Sequence, residues 1–200
     1  MRTIVLASAS PRRAELLHQI GLPFIVQAVD LDETPQPCEE PAHYVERLAR
    51  AKAMAGLQRF PESLVIGADT TVVGADGILG KPADSAGAEA MLASLSGQSH
   101  RVMTAVALAG EHGCFARLVT TEVRFRVLSR EEIRAYCQTG EPFDKAGGYG
   151  VQGRGGVFVD GLWGSYSAVV GLPLEETAML LSDAGEPVWT HWCKPEEAVK

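Results

Sequence analysis

The stretch that decides the fold lies near the N-terminus and reads Thr3-Ile4-Val5-Leu6-Ala7-Ser8-Ala9-Ser10-Pro11-Arg12-Arg13. Its apolar first half predicts a strand, and residues 11–20 predict a helix with Ser10 at the N-cap and Pro11 at the first position. The free N–H groups of that helix would then point into a turn carrying two arginines, which favours a phosphate. A pair of arginines alone is more often a solvated surface pair, but the serines and the proline beside this pair favour phosphate binding.

The composition is that of an ordinary globular protein, with 46% hydrophobic and 22% charged residues. Its 200 residues allow one large domain or two small lobes. The chain has 18 basic and 25 acidic residues, a net charge of −7. A negative field opposes non-specific binding to a nucleic-acid backbone, so we expect a small phosphorylated ligand and no stable nucleic-acid partner.

The four cysteines are scattered, with no C-x-x-C pair and no histidine at zinc-finger spacing. Free thiols in a reducing compartment are therefore expected. The N-terminal apolar run ends at Ser8, which is too short for a signal peptide, and no stretch approaches a membrane span. These features predict a cytoplasmic protein with no membrane partner.

Strand-like and helix-like segments alternate along the chain, which predicts an α/β protein. Strands are predicted at 24–29, 64–68, 102–109, 115–127 and 157–160, the third and fourth forming a long antiparallel hairpin. The backbone is expected to continue extended at 71–73, and a turn is predicted at Gly161. Helices are predicted at 41–59, 85–95, 129–139 and 173–181, the third beginning with a capping box. We expect one mixed-sheet domain with two lobes over 1–185, and a C-terminal tail over 186–200 with Trp189 and Trp192 as candidate anchors.

Two carboxylates are candidates for chemistry. Asp69 directly follows the predicted strand 64–68, and the carboxyl ends of strands in open α/β sheets commonly present reactive groups. Such a carboxylate can bind a hard cation or accept a proton, and the alternative is a turn or capping aspartate. Glu33 lies on a loop after strand 24–29, where the alternative is a solvated acidic loop.

Two lysines and a glutamine are further candidates. Lys52 borders the apolar face of helix 41–59, and Lys81 follows a strand; each either extends to solvent or neutralises phosphate charge in a cleft. Six of the ten residues at 147–156 are glycine, which permits either tight turns or close approach of the backbone to a planar base, with Gln152 as donor and acceptor. The chain has no Walker phosphate-binding motif.

These residues resemble the Maf family of nucleotide pyrophosphatases from Ile4 to about Leu181. The resemblance rests on LASASPRR at 6–13, ET at 33–34, RLA at 47–49 with Lys52, GADT at 67–70, GKP at 80–82, LSG at 95–97, MTAV at 103–106, DKAG at 144–147 and VGLPL at 170–174. It implies an elongated fold with a central cleft, similar to that of the inosine-triphosphate pyrophosphatases. It also implies hydrolysis of a nucleoside triphosphate to the monophosphate and diphosphate with a divalent metal, Mg²⁺ or Mn²⁺.

Three positions indicate a branch of this family. With Arg12, Thr70 and Gln152 the chain resembles the dTTP/UTP pyrophosphatases. The methylguanosine-triphosphate branch instead looks like SPWRR in the first loop, DQ after the strand and an acidic residue in the glycine-rich segment. Glutamine offers both hydrogen-bond polarities to a neutral pyrimidine edge, while an aromatic and an acid suit a cationic methylated purine.

The resemblance and the residue chemistry together give a set of expected roles. Asp69 is the expected proton acceptor and Glu33 the expected metal ligand, although either could hold the metal or the water, and Lys52 is the third catalytic candidate. The expected substrate-binding residues are Ser8, Arg12, Arg13, Thr70, Lys81, Lys145 and Gln152.

The favoured interpretation is a house-cleaning hydrolase that acts on dTTP and UTP, or on modified pyrimidine triphosphates. Two alternatives stay open at this point: a phosphatase that removes the terminal phosphate, and a non-catalytic nucleotide- or nucleic-acid-binding regulator of cell division. The oligomeric state is open as well, with a homodimer as one alternative.

Overall fold

The computed structural model describes residues 2–192, in which seven strands form one mixed sheet with helices on its faces. The strands are β1 Ile4–Leu6, β2 Ile25–Val26, β3 Leu64–Gly74, β4 Gly77–Leu79, β5 Ser99–Gly110, β6 Gly113–Phe125 and β7 Val159–Trp163. The helices are α1 Pro11–Gln19, α2 Pro41–Arg59, α3 Ser85–Leu95, α4 Arg130–Cys137, α5 Tyr166–Val170 and α6 Leu174–Asp183. Short 3₁₀ turns lie at Glu141–Asp144, Ala146–Gly148, Arg154–Phe158 and Val188–His191.

The strand order is β2-β1-β3-β5-β6-β7, with β4 paired to β3. β1 runs parallel to both of its neighbours, and the remaining pairs are antiparallel. The predictions of an α/β protein with a mixed sheet and of a long hairpin are therefore confirmed. The parallel pairing of β1 with β3 ends at Leu6 and Ile66, so β3 continues beyond it with β5 as its main neighbour.

Two apolar cores lie along the same long strands and form the two lobes. In the first, Leu64 and Ile66 of β3 pack with Leu17 of α1 and with α6. In the second, Val72 of β3 packs with Phe125 of β6 and with α3 and α4. Because alternate strand residues share a face, Thr70 lies on the face of both cores and between them.

Helix α2 covers the opposite face of β3, where it approaches the strand at Gly67. A Cβ atom at Gly67 would lie 2.3 Å from the Ala49 carbonyl oxygen and 2.5 Å from the Ala53 nitrogen. The missing side chain therefore permits backbone-to-backbone approach. Asp69 shares this face of β3 by the period of two, and Lys52 lies on the covered face of the helix, so the packing brings the two together.

Several local predictions were wrong. Strand 24–29 shortens to two residues, because β1 offers partners only at Val5 and Leu6. Strand 64–68 continues to Gly74, so that Asp69 pairs with Ala105 within β3 and does not follow its end. The residues after Asp69 are threonine and valine, which favour an extended backbone, and β5 supplies partners for all of them.

Two smaller predictions also failed. Gly161 belongs to β7, paired with Arg124, and does not form a turn. Ser10 is the N-cap residue of α1, but its side chain makes no capping hydrogen bond. The capping box of α4 is confirmed, with both Ser129 and Glu132 bonds present.

The first residues of the predicted tail pack on the first lobe. The Trp192 indole nitrogen donates to the Ile20 carbonyl at 2.6 Å, and Val188 is buried, whereas Trp189 is exposed. Residues 193–200, Cys193 among them, lie outside the described residues, and the domain boundary at 185 stays a prediction. Within residues 2–192, no helix has both the length and the apolar character needed to cross a membrane.

Candidate active site

A cleft of about 570 Å³ lies between the two lobes, beside the part of β3 that β1 leaves uncovered. Its walls come from the start of α1, from β3, from the segment after β4 and from the glycine-rich segment near residue 150. It brings together nine of the ten residues predicted from the sequence: Arg12, Arg13, Glu33, Lys52, Asp69, Thr70, Lys81, Lys145 and Gln152.

Lys52 joins the two candidate carboxylates at the base of this cleft. Its Nζ lies 2.7 Å from Asp69 Oδ1 and 2.6 Å from Glu33 Oε1. The side chains of Lys52 and Asp69 are only 10% and 9% exposed, whereas that of Glu33 is 47% exposed. The buried end of the cluster is therefore held rigidly, and Glu33 reaches it from a loop at the cleft mouth.

Burial and charge act in opposite directions on these carboxyl groups. Burial raises the pKa of Asp69 above its usual range, with Lys52 and Arg13 opposing the rise. Burial also raises the pKa of Glu33, but its hydrogen bond to Lys52 and the charges of Lys52, Lys81 and Arg13 lower it below the usual value overall. Asp69 is thus the stronger base of the two, and Glu33 the more firmly ionised carboxylate.

Arg13 lines the cleft at the start of α1, and three hydrogen bonds fix its guanidinium. Its Nε donates to the Gly171 carbonyl at 2.7 Å, and its Nη atoms donate to Ser8 Oγ at 3.2 Å and Thr70 Oγ1 at 3.3 Å. Burial lowers the pKa of this guanidinium, with Asp69 opposing the shift. Because the side chain is pre-positioned, it can meet an anion at little cost in conformational entropy.

Ser8 is placed differently from the other predicted residues. Its side chain is buried, accepts from Arg13 and from the Ser10 backbone nitrogen at 3.2 Å, and is not among the residues that line the cleft. In this arrangement Ser8 supports Arg13 and the turn before α1. Direct contact of Ser8 with phosphate stays a prediction.

Arg12 and Lys145 share one carboxylate on the opposite wall. Asp144 accepts from Arg12 Nη1 at 3.0 Å and from Lys145 Nζ at 2.5 Å. Burial raises the pKa of Asp144, and the bonds from these two cations lower it below its usual value overall. The contact joins the start of α1 in one lobe to the 3₁₀ turn at Glu141–Asp144 in the other.

The remaining two predicted residues lie nearer to solvent. Gln152 is exposed on the glycine-rich segment, and Lys81 lines the cleft close enough to Glu33 to lower its pKa. Both line the cleft between the two lobes.

Sequence reasoning missed several cleft residues. Tyr44 donates its hydroxyl to the Glu33 carbonyl at 2.9 Å and so holds the loop of that carboxylate, although its helix position marked it only as apolar. Tyr149 lines the cleft and bonds to the buried His100 at 2.8 Å; burial lowers the pKa of His100 to about 4 and keeps it neutral. Glu141 carried no signal, because its partners lie on a different segment.

The fold and the cleft define an α/β protein that can hold a polyanion between two lobes, beside a buried carboxylate and its lysine. The sequence model described as Maf-like protein matches residues 3–184, and the chain belongs to this family.

Two relatives and one solved structure illustrate the likeness. The chain is 50% identical over 190 residues to a "dTTP/UTP pyrophosphatase" of Symbiobacterium thermophilum, covering 95% of this chain and 98% of that protein. It is 55% identical over 190 residues to a protein of the same description from Shewanella oneidensis, covering 91% of this chain and 98% of that protein. A "Nucleoside-triphosphatase / dITP/XTP pyrophosphatase" structure from Mycobacterium abscessus aligns with a TM-score of 0.48 at 18% identity, covering 92% of this chain and 96% of that one.

Proposed function

We propose that this chain hydrolyses dTTP and UTP, or modified pyrimidine triphosphates, to the monophosphate and diphosphate. The observation that carries the proposal is the Asp69–Lys52–Glu33 cluster at the base of a cleft lined by further cations. Relatives at 50–55% identity over more than nine-tenths of this chain are described as dTTP/UTP pyrophosphatases, which supports the same reaction here.

The chemistry of the step follows from the placement of Asp69. Its Oδ1 accepts a hydrogen bond from Lys52, and we therefore assign Oδ2 as the proton acceptor. A water oxygen forms a bond to the α-phosphorus, its proton passes to Asp69, and the bond from that phosphorus to the bridging oxygen breaks, so that diphosphate leaves. Burial favours this role, because a carboxylate of raised pKa is a stronger base.

The cations of the cleft would neutralise the triphosphate. Arg13 and Lys81 both line the cleft and are proposed to contact phosphate oxygens, with Ser8 and the start of α1 supporting Arg13. Lys145, next to Asp144, and Arg12, which bonds Asp144 from the start of α1, are proposed to approach the ligand together. Several cations are required because negative charge is spread over the whole chain of phosphates.

A divalent metal, Mg²⁺ or Mn²⁺, fits the donor chemistry of this site. Within residues 2–192, no group of three or more His, Cys, Asp and Glu could hold a metal ion, so a dedicated all-protein cage is not present in that range. Glu33 and Asp69 each place a carboxylate oxygen within 2.7 Å of the Lys52 ammonium nitrogen, so the two carboxylates converge on one point. Mg²⁺ is often bound by one or two carboxylates and completes its coordination shell with substrate phosphate and water. When bound there, the metal would supply charge stabilisation on the phosphates.

Base selection is proposed to come from Gln152, with Arg12 and Thr70 as the other two positions that distinguish this branch. Gln152 can donate to one carbonyl of a pyrimidine and accept from its ring N–H. Hydrogen bonds of this kind are selective, because a base without the matching donor and acceptor leaves a polar group of the site unpaired.

The wider setting follows from the same properties. We propose a cytoplasmic enzyme of nucleotide-pool house-cleaning, which acts on free nucleotides and forms no stable complex with nucleic acid. The net charge of −7 supports the last point, since it disfavours a polyanionic polymer. We also propose that the protein can form a homodimer, and we assign no surface to that contact.

A panel of canonical and modified triphosphates, with Mg²⁺ or Mn²⁺, tests the proposal through its products. dTTP and UTP should release diphosphate far faster than purine triphosphates do. Release of orthophosphate instead would identify a terminal phosphatase. Tight, salt-dependent DNA binding without turnover would point to the regulator.

The variant Asp69→Asn tests the catalytic assignment. It is isosteric, so the fold and nucleotide binding should persist, while turnover should fall by about 10²-fold or more because the base is lost. Thermal unfolding and binding of dTMP provide the controls. Activity within a factor of about three of the parent would end the assignment, since general-base losses are far larger than this.

A further inference from the structure

The glycine-rich segment that carries Gln152 bonds to the carboxylate of the half-buried Glu141. Glu141 Oε1 accepts from the Tyr136 hydroxyl at 3.0 Å and from the Gly155 nitrogen at 3.2 Å, while Oε2 accepts from the Arg154 nitrogen at 3.0 Å. The carboxylate therefore meets two backbone donors of the segment and one side-chain donor from α4. Glu141 also lines the cleft.

The spacing of the glycines matches this contact closely. A Cβ atom at Gly153 would lie 2.3 Å from Glu141 Oε1, and one at Gly155 would lie 2.8 Å from the Tyr136 hydroxyl oxygen. The Gly150 nitrogen donates to the same hydroxyl at 3.3 Å. A Cβ at either position would force these side chains to move, so glycine at 153 and 155 lets the backbone lie close to both of them.

The ionised form of Glu141 suits this set of partners. Burial raises the pKa of its carboxyl group, but the bonds from Gly155, Arg154 and Tyr136 lower it below the usual value overall. An ionised carboxylate only accepts hydrogen bonds, and all three of its partners donate. Bonds to a charged acceptor are also the stronger kind.

We propose that Glu141 is a positioning residue that sets the pyrimidine preference of this enzyme, by fixing the segment 150–155 so that Gln152 is held toward the base. This rests on the proposed function. Gln152 lies between two anchored positions, Gly150 bound to Tyr136 and Gly153 packed on Glu141, so its backbone direction is determined on both sides. Loss of the anchor would therefore weaken recognition of the base more than handling of the phosphates.

The variant Glu141→Gln tests this with little change in volume. Glutamine replaces one acceptor oxygen with an NH₂ group, so one donor of the segment would face another donor. We expect kcat/KM for dTTP and UTP to fall by about 10- to 100-fold, the size of one hydrogen bond to a charged group, mainly through KM. The value for GTP should change by less than about threefold, so that the preference itself falls.

A second variant and a matched control separate positioning from stability. Tyr136→Phe should lower the preference in the same direction, and the double variant should lose less than the product of the two single losses, because both act on one contact. Glu132→Gln is the control, since its carboxylate bonds Arg126 and the Ser129 nitrogen and does not line the cleft. It should reduce stability and leave the ratio of dTTP to GTP hydrolysis unchanged.

Amide hydrogen exchange provides a measurement that does not depend on turnover. Peptides covering 150–155 should exchange faster in Glu141→Gln than in the parent or in Glu132→Gln. Unchanged exchange, or equal losses for dTTP and GTP, would overturn the positioning role. A parent enzyme that forms diphosphate with no pyrimidine preference would instead overturn the proposed substrate, and with it the link from Glu141 to selection.

Discussion

Substitution of Gly67 by alanine should damage catalysis from a position that does not line the cleft. A Cβ atom there would lie 2.3 Å from the Ala49 carbonyl oxygen and 2.5 Å from the Ala53 nitrogen, both in the backbone of α2. Ordinary contact needs about 3.5 Å, so the helix must retreat by about 1 Å. The 2.7 Å contact between Lys52 and Asp69 would then lengthen beyond hydrogen-bonding distance.

The expected magnitude has two parts. Overpacking of this kind costs about 1–3 kcal/mol of unfolding free energy, which lowers the melting temperature of a chain of this size by about 2–12 °C. A displacement of about 1 Å at reacting groups can cost about 10²-fold in rate. Steady-state diphosphate release from dTTP, measured well below the melting temperature, should therefore fall by about 10- to 100-fold in Gly67→Ala.

Gly56→Ala is the matched control, one helical turn beyond Lys52 at the same interface. Its Cβ atom would meet a side-chain carbon, Val65 Cγ1, at 2.6 Å, and a side chain yields more easily than backbone. It should lower stability while kcat/KM falls by less than about threefold. If the two variants lose activity equally, close approach of α2 at Gly67 does not set the position of Lys52.

Two further changes test the charges and the base contact of the site. Lys52→Gln should move the acidic limb of the pH profile of kcat/KM to higher pH. Lys52 opposes the rise that burial causes in the pKa of Asp69, and Asp69 acts as a base only when it is deprotonated. An unchanged acidic limb would contradict the assignment of Asp69 as the base. Gln152→Glu should reduce the preference for dTTP over GTP by about ten- to a hundred-fold, on the order of 1–3 kcal/mol, because an ionised carboxylate cannot donate to a pyrimidine carbonyl. Proportional losses for both nucleotides would show that Gln152 supports the segment and does not read the base.

Local sequence patterns predicted the elements that depend on neighbouring residues. The strand and helix around Pro11, the long hairpin and the helix beginning at Pro41 are all present. The capping box at Ser129 is present with both of its hydrogen bonds. These features need only a turn, a cap or a periodic face, all of which are encoded within a few residues.

Predictions that depended on a distant partner were less successful. An extended backbone at 71–73 was expected, but not that β3 runs unbroken through Asp69, because this depends on pairing with β5, about 35 residues further along the chain. Glu141 gave no signal either, since its role depends on the backbone donors of Arg154 and Gly155. Periodic patterns within a short window of sequence do not indicate which distant residues will be paired.

The sequence by itself determined which chemical groups are available: a basic turn with Arg12 and Arg13, two carboxylates, two lysines and a glycine-rich segment. Only the tertiary structure decided their distances. Lys52 meets Asp69 because α2 can approach β3 at Gly67, and Arg13 is fixed by a carbonyl 158 residues away. The physical reason is that a cleft is formed by surfaces of separate elements, and their separation depends on long-range packing and not on the order of residues.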